Sequence, residues 1–251
     1  MDNIKSVLEI IQNGDVFELT PNHFRNRFMS EREMKAIFDY FDAFWQYKGG
    51  PSPQKPHAIL KSEKHSNGFI SCKNVLDYPV MCHLFAYEIV KHILIEGYRI
   101  DAVAGSAYSA IDLSYEVAKI MAKEQNPKIR HFTVEKDKNG NPTIIRGGIP
   151  SNLNVLVINE LMTTGSGSTW ETKQAVLNCN GDNPPPKVIE KSYVLVHRSK
   201  DYKLPDGSKV VPVFHFDIED FEPENCPYCK AGSLAIKPKV GNNWNLIHMR
   251  A

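Results

Sequence analysis

The chain has 251 residues, 42% of them hydrophobic and 24% charged, with a formal net charge of +1. That length suits one large domain or a core with a small appendage, and the balance is that of an ordinary globular protein. The near-zero charge, without a block of one sign, argues against nucleic acid as a partner, and no apolar run approaches the roughly 20 residues that span a bilayer.

The first 17 residues are polar and mixed in charge, unlike a secretory signal. The cysteines (Cys72, Cys82, Cys179, Cys226, Cys229) are sparse and odd in number, as in a chain that keeps its thiols reduced. Both features set the expectation of a cytoplasmic protein. Helical spacing covers residues 4–12 and 30–46, with Ser30 and Glu33 placed as a capping box. Gly49-Gly50-Pro51-Ser52-Pro53 ends the second helix. Residues 81–96 form a further amphipathic pattern closed by Gly97.

From there the pattern alternates. A strand at 99–104 precedes a helix at 109–124. Strands at 129–134 and 143–146 flank Lys138-Asn139-Gly140-Asn141-Pro142, followed by a strand at 153–158, a helix at 170–178 and a strand at 188–197. Alternation of this kind predicts an α/β fold, a parallel sheet flanked by helices. Ligands of such sheets bind at the C-terminal ends of the strands.

Residues 155–169 are the most informative stretch. Val155 to Ile158 read as a buried parallel strand that ends on Asn159 and Glu160. Leu161 and Met162 lead into a small, hydroxyl-rich loop of Thr163, Thr164, Gly165, Ser166, Gly167, Ser168 and Thr169. A strand, such a loop and a helix N-terminus make an anion cradle of inward backbone N–H groups. An acid beside it can accept hydrogen bonds from sugar hydroxyls. One turn that holds a phosphate and a diol points to a ribose-5-phosphate group. The bland reading is a βα turn with a Ser/Thr N-cap and no ligand.

This pattern resembles the signature of type I phosphoribosyltransferases, which use 5-phosphoribosyl-1-diphosphate (PRPP). Three more segments are similar to orotate phosphoribosyltransferases in particular. Gly105, Ser106, Ala107, Tyr108, Ser109, Ala110 and Ile111 resemble that family's diphosphate-binding turn, with Ser109 where the family has a lysine. Leu60, Lys61, Ser62, Ser66 and Phe69 resemble its N-terminal segment. Residues 131–148 stand where it has a mobile hood loop, Lys138 matching one lysine of the family's basic run. A hairpin with an Asn-Gly turn and solvated charges reads the same residues equally well. Compared with the family, Asn159 replaces an acid and the phosphate loop is one residue longer.

The resemblance implies a phosphoribosyltransferase core at 79–214, a hood from 56–78 and 215–251, and an N-terminal helical extension at 1–55 that matches nothing. It implies a homodimer that joins orotate or another pyrimidine-like base to PRPP with Mg²⁺ and releases diphosphate. Asn159, Glu160 and Thr163 to Thr169 would bind the phosphoribosyl group, and Ser106, Ala107, Tyr108 and Ser109 the diphosphate. Lys61 would reach the diphosphate or base, Phe69 would wall the base, and Glu160, Lys138 and Lys61 would carry catalysis. The alternative is a PRPP- or nucleotide-binding sensor with impaired catalysis. Near the end, Cys226-Pro227-Tyr228-Cys229 supplies half of a tetrahedral zinc (Zn²⁺) site. A second pair is missing nearby, so His215, His248 or another subunit would have to complete it. A reduced, metal-free turn is the expectation.

Overall fold

The computed structural model describes residues 6–106, 109–144, 147–164 and 166–249. Its contacts fall into two units, Met1–Ile37 with Cys72–Phe216 and Phe38–Ser71 with Asp217–Ala251.

The larger unit is built on one sheet. Helix α1 (Pro79–Glu96) begins on a proline and stops at Gly97, whose φ of 70° is left-handed. Strand β1 (Ala102–Ser106) leads into α2 (Ser109–Glu124). Strands β2 (Arg130–Lys136) and β3 (Pro142–Thr143) form a hairpin, and β4 (Asn154–Met162) leads into α3 (Ser168–Asn178). Then follow β5 (Lys187–Val188), β6 (Lys191–His197) and β7 (Lys209–His215). The strand order is β7-β6-β4-β1-β2-β3, with β5 also on β4. All pairs are parallel except β2–β3. Val155 to Ile158 are fully buried, as a strand covered on both faces requires.

The direction in which strands are added reverses between β1 and β4. From β1 the chain crosses to β2 on one side, and from β4 to β5 and β6 on the other. This is a topological switch point, the place where open α/β sheets bind their ligands. Gly105 lets α2 sit close on β1, since a Cβ there would lie 2.2 Å from Ser114 Oγ and 2.6 Å from the Ala110 carbonyl.

The N-terminal segment belongs to this unit. Glu88 of α1, fully buried, accepts the Met29 N–H at 3.0 Å and pairs with Lys91 at 2.6 Å. Lys91 Nζ also donates to the carbonyls of Phe24 and Arg27. The Ser30–Glu33 capping box forms, but its helix ends at Tyr40 and not at residue 46. Asp42, at a φ of 53°, breaks it, and Phe44–Gln46 pairs as a strand with Gly68–Ile70. The predicted strand at 188–197 is two strands, and Lys209–His215 is an additional one. Its Pro212 is tolerated because β7 is an edge.

The smaller unit has a sheet ordered Asp220–Phe221, His65–Ser66, His57–Ile59, Ala235–Ile236. Trp45, Ala58, Ile236 and Ile247 form its core, with Tyr47, Phe69 and Trp244 against them. Among the described residues, no helix is long and apolar enough to cross a membrane.

Candidate functional site

Strands β1 and β4 are parallel neighbours and end at the same edge of the sheet. The register pairs Gly105 with Ile158, so Ser106 and Asn159 come next on adjacent strands. The strand reaches Met162, four residues beyond its sequence-based end, so Asn159 and Glu160 lie inside it.

Neighbouring strand residues point to opposite faces, and that separates this pair. Asn159 is fully buried. Its Oδ1 accepts the Glu160 N–H at 2.8 Å, which fixes Nδ2 on the other side. Nδ2 donates to Ser168 Oγ at 2.8 Å and to Thr169 Oγ1 at 3.3 Å. Within the chain, the partners of the Asn159 side chain are thus the strand's own next amide and these two hydroxyls. It ties the strand to the first turn of α3 and makes both hydroxyls acceptors, leaving their protons to donate elsewhere.

Helix α3 starts at Ser168 behind Gly167, an N-cap with no side chain to satisfy the first amides. Thr164, Ser166 and Ser168 are exposed, Thr163 and Gly167 are half-buried, and Thr169 is buried. Hydroxyls, and first-turn N–H groups that no side chain caps among the described residues, suit a phosphate at a dipole's positive end. Gly165 lies outside the described residues. Glu160 is half-buried with Oε2 enclosed, and its carbonyl accepts from Cys72 Sγ at 3.6 Å.

On the β1 side, Ser106 Oγ is buried with no hydrogen-bond partner among the described residues. Ser109, 7% exposed, opens α2. Ala107 and Tyr108 lie outside the described residues.

The segment expected as a hood loop is a tight hairpin. Asp137 Oδ1 accepts the N–H groups of Asn139 and Asn141, both at 2.8 Å, and Gly140 takes a φ of 84°. Those amides, Asn141's first, hold the Asp137 carboxyl below the usual carboxylate range. Lys138 is exposed at its tip.

Lys61 and Phe69 belong to the smaller unit. Lys61 is exposed in the turn after His57–Ile59, and Phe69 is a packed aromatic, edge-on to Trp244 at 5.7 Å. Cys226 and Cys229 meet His57 and His65, and not His215 or His248 as expected. His215 is engaged with His197, and His248 with the Trp244 carbonyl. His57 and His65, eight positions apart around one turn, were the available signal.

The end of β6 adds residues that sequence reasoning missed. His197 Nδ1 lies 2.9 Å from His215 Nδ1, and its Nε2 lies 2.9 Å from the Asp201 carbonyl. Burial, with His215 beside it, lowers the His197 pKa despite that carbonyl. Arg198, 7% exposed, follows, its N–H bonded to the Met162 carbonyl at the cradle's entrance. A buried strand running into polar residues, as β4 does, marked this end in the sequence.

No family model matches the chain. It is 33% identical over 186 residues to an orotate phosphoribosyltransferase of Caldanaerobacter subterraneus subsp. tengcongensis, covering 73% of this chain and 88% of that protein. It is 31% identical over 199 residues to one from Caldicellulosiruptor bescii, covering 78% and 96%. Among solved structures, Leishmania donovani UMP synthase superposes with a TM-score of 0.52 at 19% identity, over 75% of this chain. This chain spans 37% of that longer one, and the likeness is one of fold.

Proposed function

The chain belongs to the orotate phosphoribosyltransferase family, and from that premise we propose that it transfers the phosphoribosyl group of PRPP to a pyrimidine-like base, orotate foremost, with release of diphosphate. The observation that carries this reading is the pair of strand ends at the switch point, one of them leading to a helix whose first hydroxyls are turned by a buried asparagine.

In this reading the 5-phosphate sits in the Thr163 to Thr169 loop, held by first-turn amides and the Ser168 and Thr169 protons. Glu160 takes the ribose hydroxyls, and Asn159 acts behind them as a positioning residue. Ser106 and Ser109 face the diphosphate. Mg²⁺ bound with PRPP would offset charge on the departing diphosphate. The Glu160 carboxylate and the Ser106 hydroxyl are the hard oxygen donors such an ion takes. A displacement at C1 needs alignment and charge stabilisation more than proton transfer, and two rigid strand ends supply the alignment. Arg198, beside the cradle's strand, is the planar cation we assign to a carboxylate on the base. For Lys61, Phe69 and Lys138, for the smaller unit as a hood and for a homodimer, support comes from the resemblance alone.

The test incubates the purified chain with PRPP, Mg²⁺ and orotate, then with uracil and other bases, and follows diphosphate release. Turnover with orotate is the expected result. Tight PRPP binding by calorimetry without turnover on any base would move the chain to the sensor reading; absence of both would end both readings.

A further inference from the structure

We propose that His57, His65, Cys226 and Cys229 hold one zinc ion in a closed, structural site in the smaller unit. Their four ligand atoms lie within 4.8 Å of one another. Cys226 Sγ and Cys229 Sγ are each 3.5 Å from His57 Nε2. Cys229 Sγ is 3.2 Å from His65 Nδ1, and the two ring nitrogens are 2.9 Å apart. A tetrahedron with Zn–S bonds of about 2.3 Å and Zn–N bonds of about 2.0 Å separates nitrogen from sulfur by about 3.5 Å. The observed nitrogen–sulfur edges match that figure within a few tenths of an ångström.

Two sulfurs and two imidazole nitrogens, with no carboxylate among them, are a donor set for zinc and not for magnesium or calcium. The surroundings already orient the ligands. Ser233 Oγ donates to the Lys55 carbonyl at 2.6 Å, so it accepts from His57 Nδ1 at 2.8 Å. That leaves the His57 Nε2 lone pair aimed into the cluster, the arrangement that supports a metal-bound imidazole. The Tyr228 ring stacks on His57 at 5.5 Å and holds its plane. His57, His65 and Cys226 are buried, so the centre has no open coordination position for a substrate.

The unit has reason to need the ion. It holds about 70 residues, with strands of two or three residues, a size at which a small core calls for a staple. The ion would join a hairpin to a segment 169 residues further along, and a clip across so long a loop removes the most entropy from the unfolded chain. On binding, each thiol releases its proton to solvent as its sulfur bonds the metal, and no electron moves. The inference stands apart from the proposed reaction.

The full chain, free of affinity tags and passed through gel filtration after exposure to excess zinc, is expected to retain about one zinc per chain by elemental mass spectrometry. Cobalt in its place should show thiolate-to-cobalt charge transfer, halved in Cys229→Ser. Ser233→Ala keeps all four ligands and should weaken zinc binding about 10–100-fold against a chromophoric chelator. Zinc-free wild-type protein, a cobalt complex without thiolate absorption, or full zinc retention in the Cys226→Ser/Cys229→Ser double variant would each overturn the assignment.

Discussion

Asn159 shows how one atom's identity directs a whole loop. With nitrogen facing Ser168 and Thr169, both hydroxyls accept and keep their protons for an anion. Asn159→Asp puts an oxygen there, and each hydroxyl would then donate to the new carboxylate. The loop loses two donors and gains a negative neighbour. We expect the KM for PRPP to rise about tenfold with kcat little changed, because one neutral hydrogen bond and its charge environment amount to roughly 1.4 kcal/mol. Steady-state kinetics on both forms checks it, and a lower KM in the aspartate form would refute the donor argument. The loop itself was readable from its sequence, since strand, hydroxyl-rich turn and helix follow one another without interruption. The direction of the Asn159 side chain was not, because it depends on where the strand ends, and Glu160 to Met162 prolong it.

At the level of elements, α3 starts at the loop proposed to hold the phosphate and is pinned from outside. Lys173 of α3, 6% exposed, donates to Asp206 at 2.6 Å and Ser208 at 2.7 Å in the β6–β7 connection. Burial pushes the Asp206 carboxyl up, but Lys173 and Ser208 together outweigh it and hold the pKa at about 2. A carboxyl depressed below its ordinary value near 3.9 contributes stability that is complete above about pH 4 and fades as pH falls toward 2. Asp206→Asn should flatten that acid fall. At neutral pH it should cost about 1 kcal/mol once solvent screening of the partly exposed pair is allowed for, a Tm loss of roughly 2–4 °C for a chain of this size. Thermal melts from pH 2 to 7 read both effects, and an unchanged acid limb would count against the pairing. Helix 109–124 matched its sequence pattern because its apolar face and small-residue start are local. The 209–215 strand escaped, since Pro212 reads as a strand breaker until its edge position is known.

For the whole molecule, the parallel sheet and its family were evident from the alternation after residue 99 and from the loop signature. The partition of the N-terminal 71 residues was not. Residues up to Ile37 join the sheet-bearing unit through Glu88 and Lys91, contacts set by tertiary packing and invisible to local pattern. Burial pushes the Glu88 carboxyl up against the opposing pull of Lys91 and the Met29 amide. Glu88→Leu leaves that amide without its acceptor and the ammonium without its counter-charge. We expect about 3 kcal/mol of destabilisation by denaturant titration, with part recovered in Glu88→Leu/Lys91→Met. No recovery in the double variant would mean that the Lys91 bonds to the Phe24 and Arg27 carbonyls, and not the charge pair, hold the segment.

The smaller unit is assembled from two stretches separated by the whole of the larger one's sheet. During synthesis, His57 must therefore wait for Cys226, 169 residues behind it, to leave the ribosome. At about 5–20 residues per second that delay is on the order of ten to thirty seconds, in which the strands up to β6 can pair while the hairpin stays without its mate. A nascent chain with Phe216 just clear of the ribosome would carry the complete sheet-bearing unit and an unfinished second one, the form on which chaperones and proteases would act first.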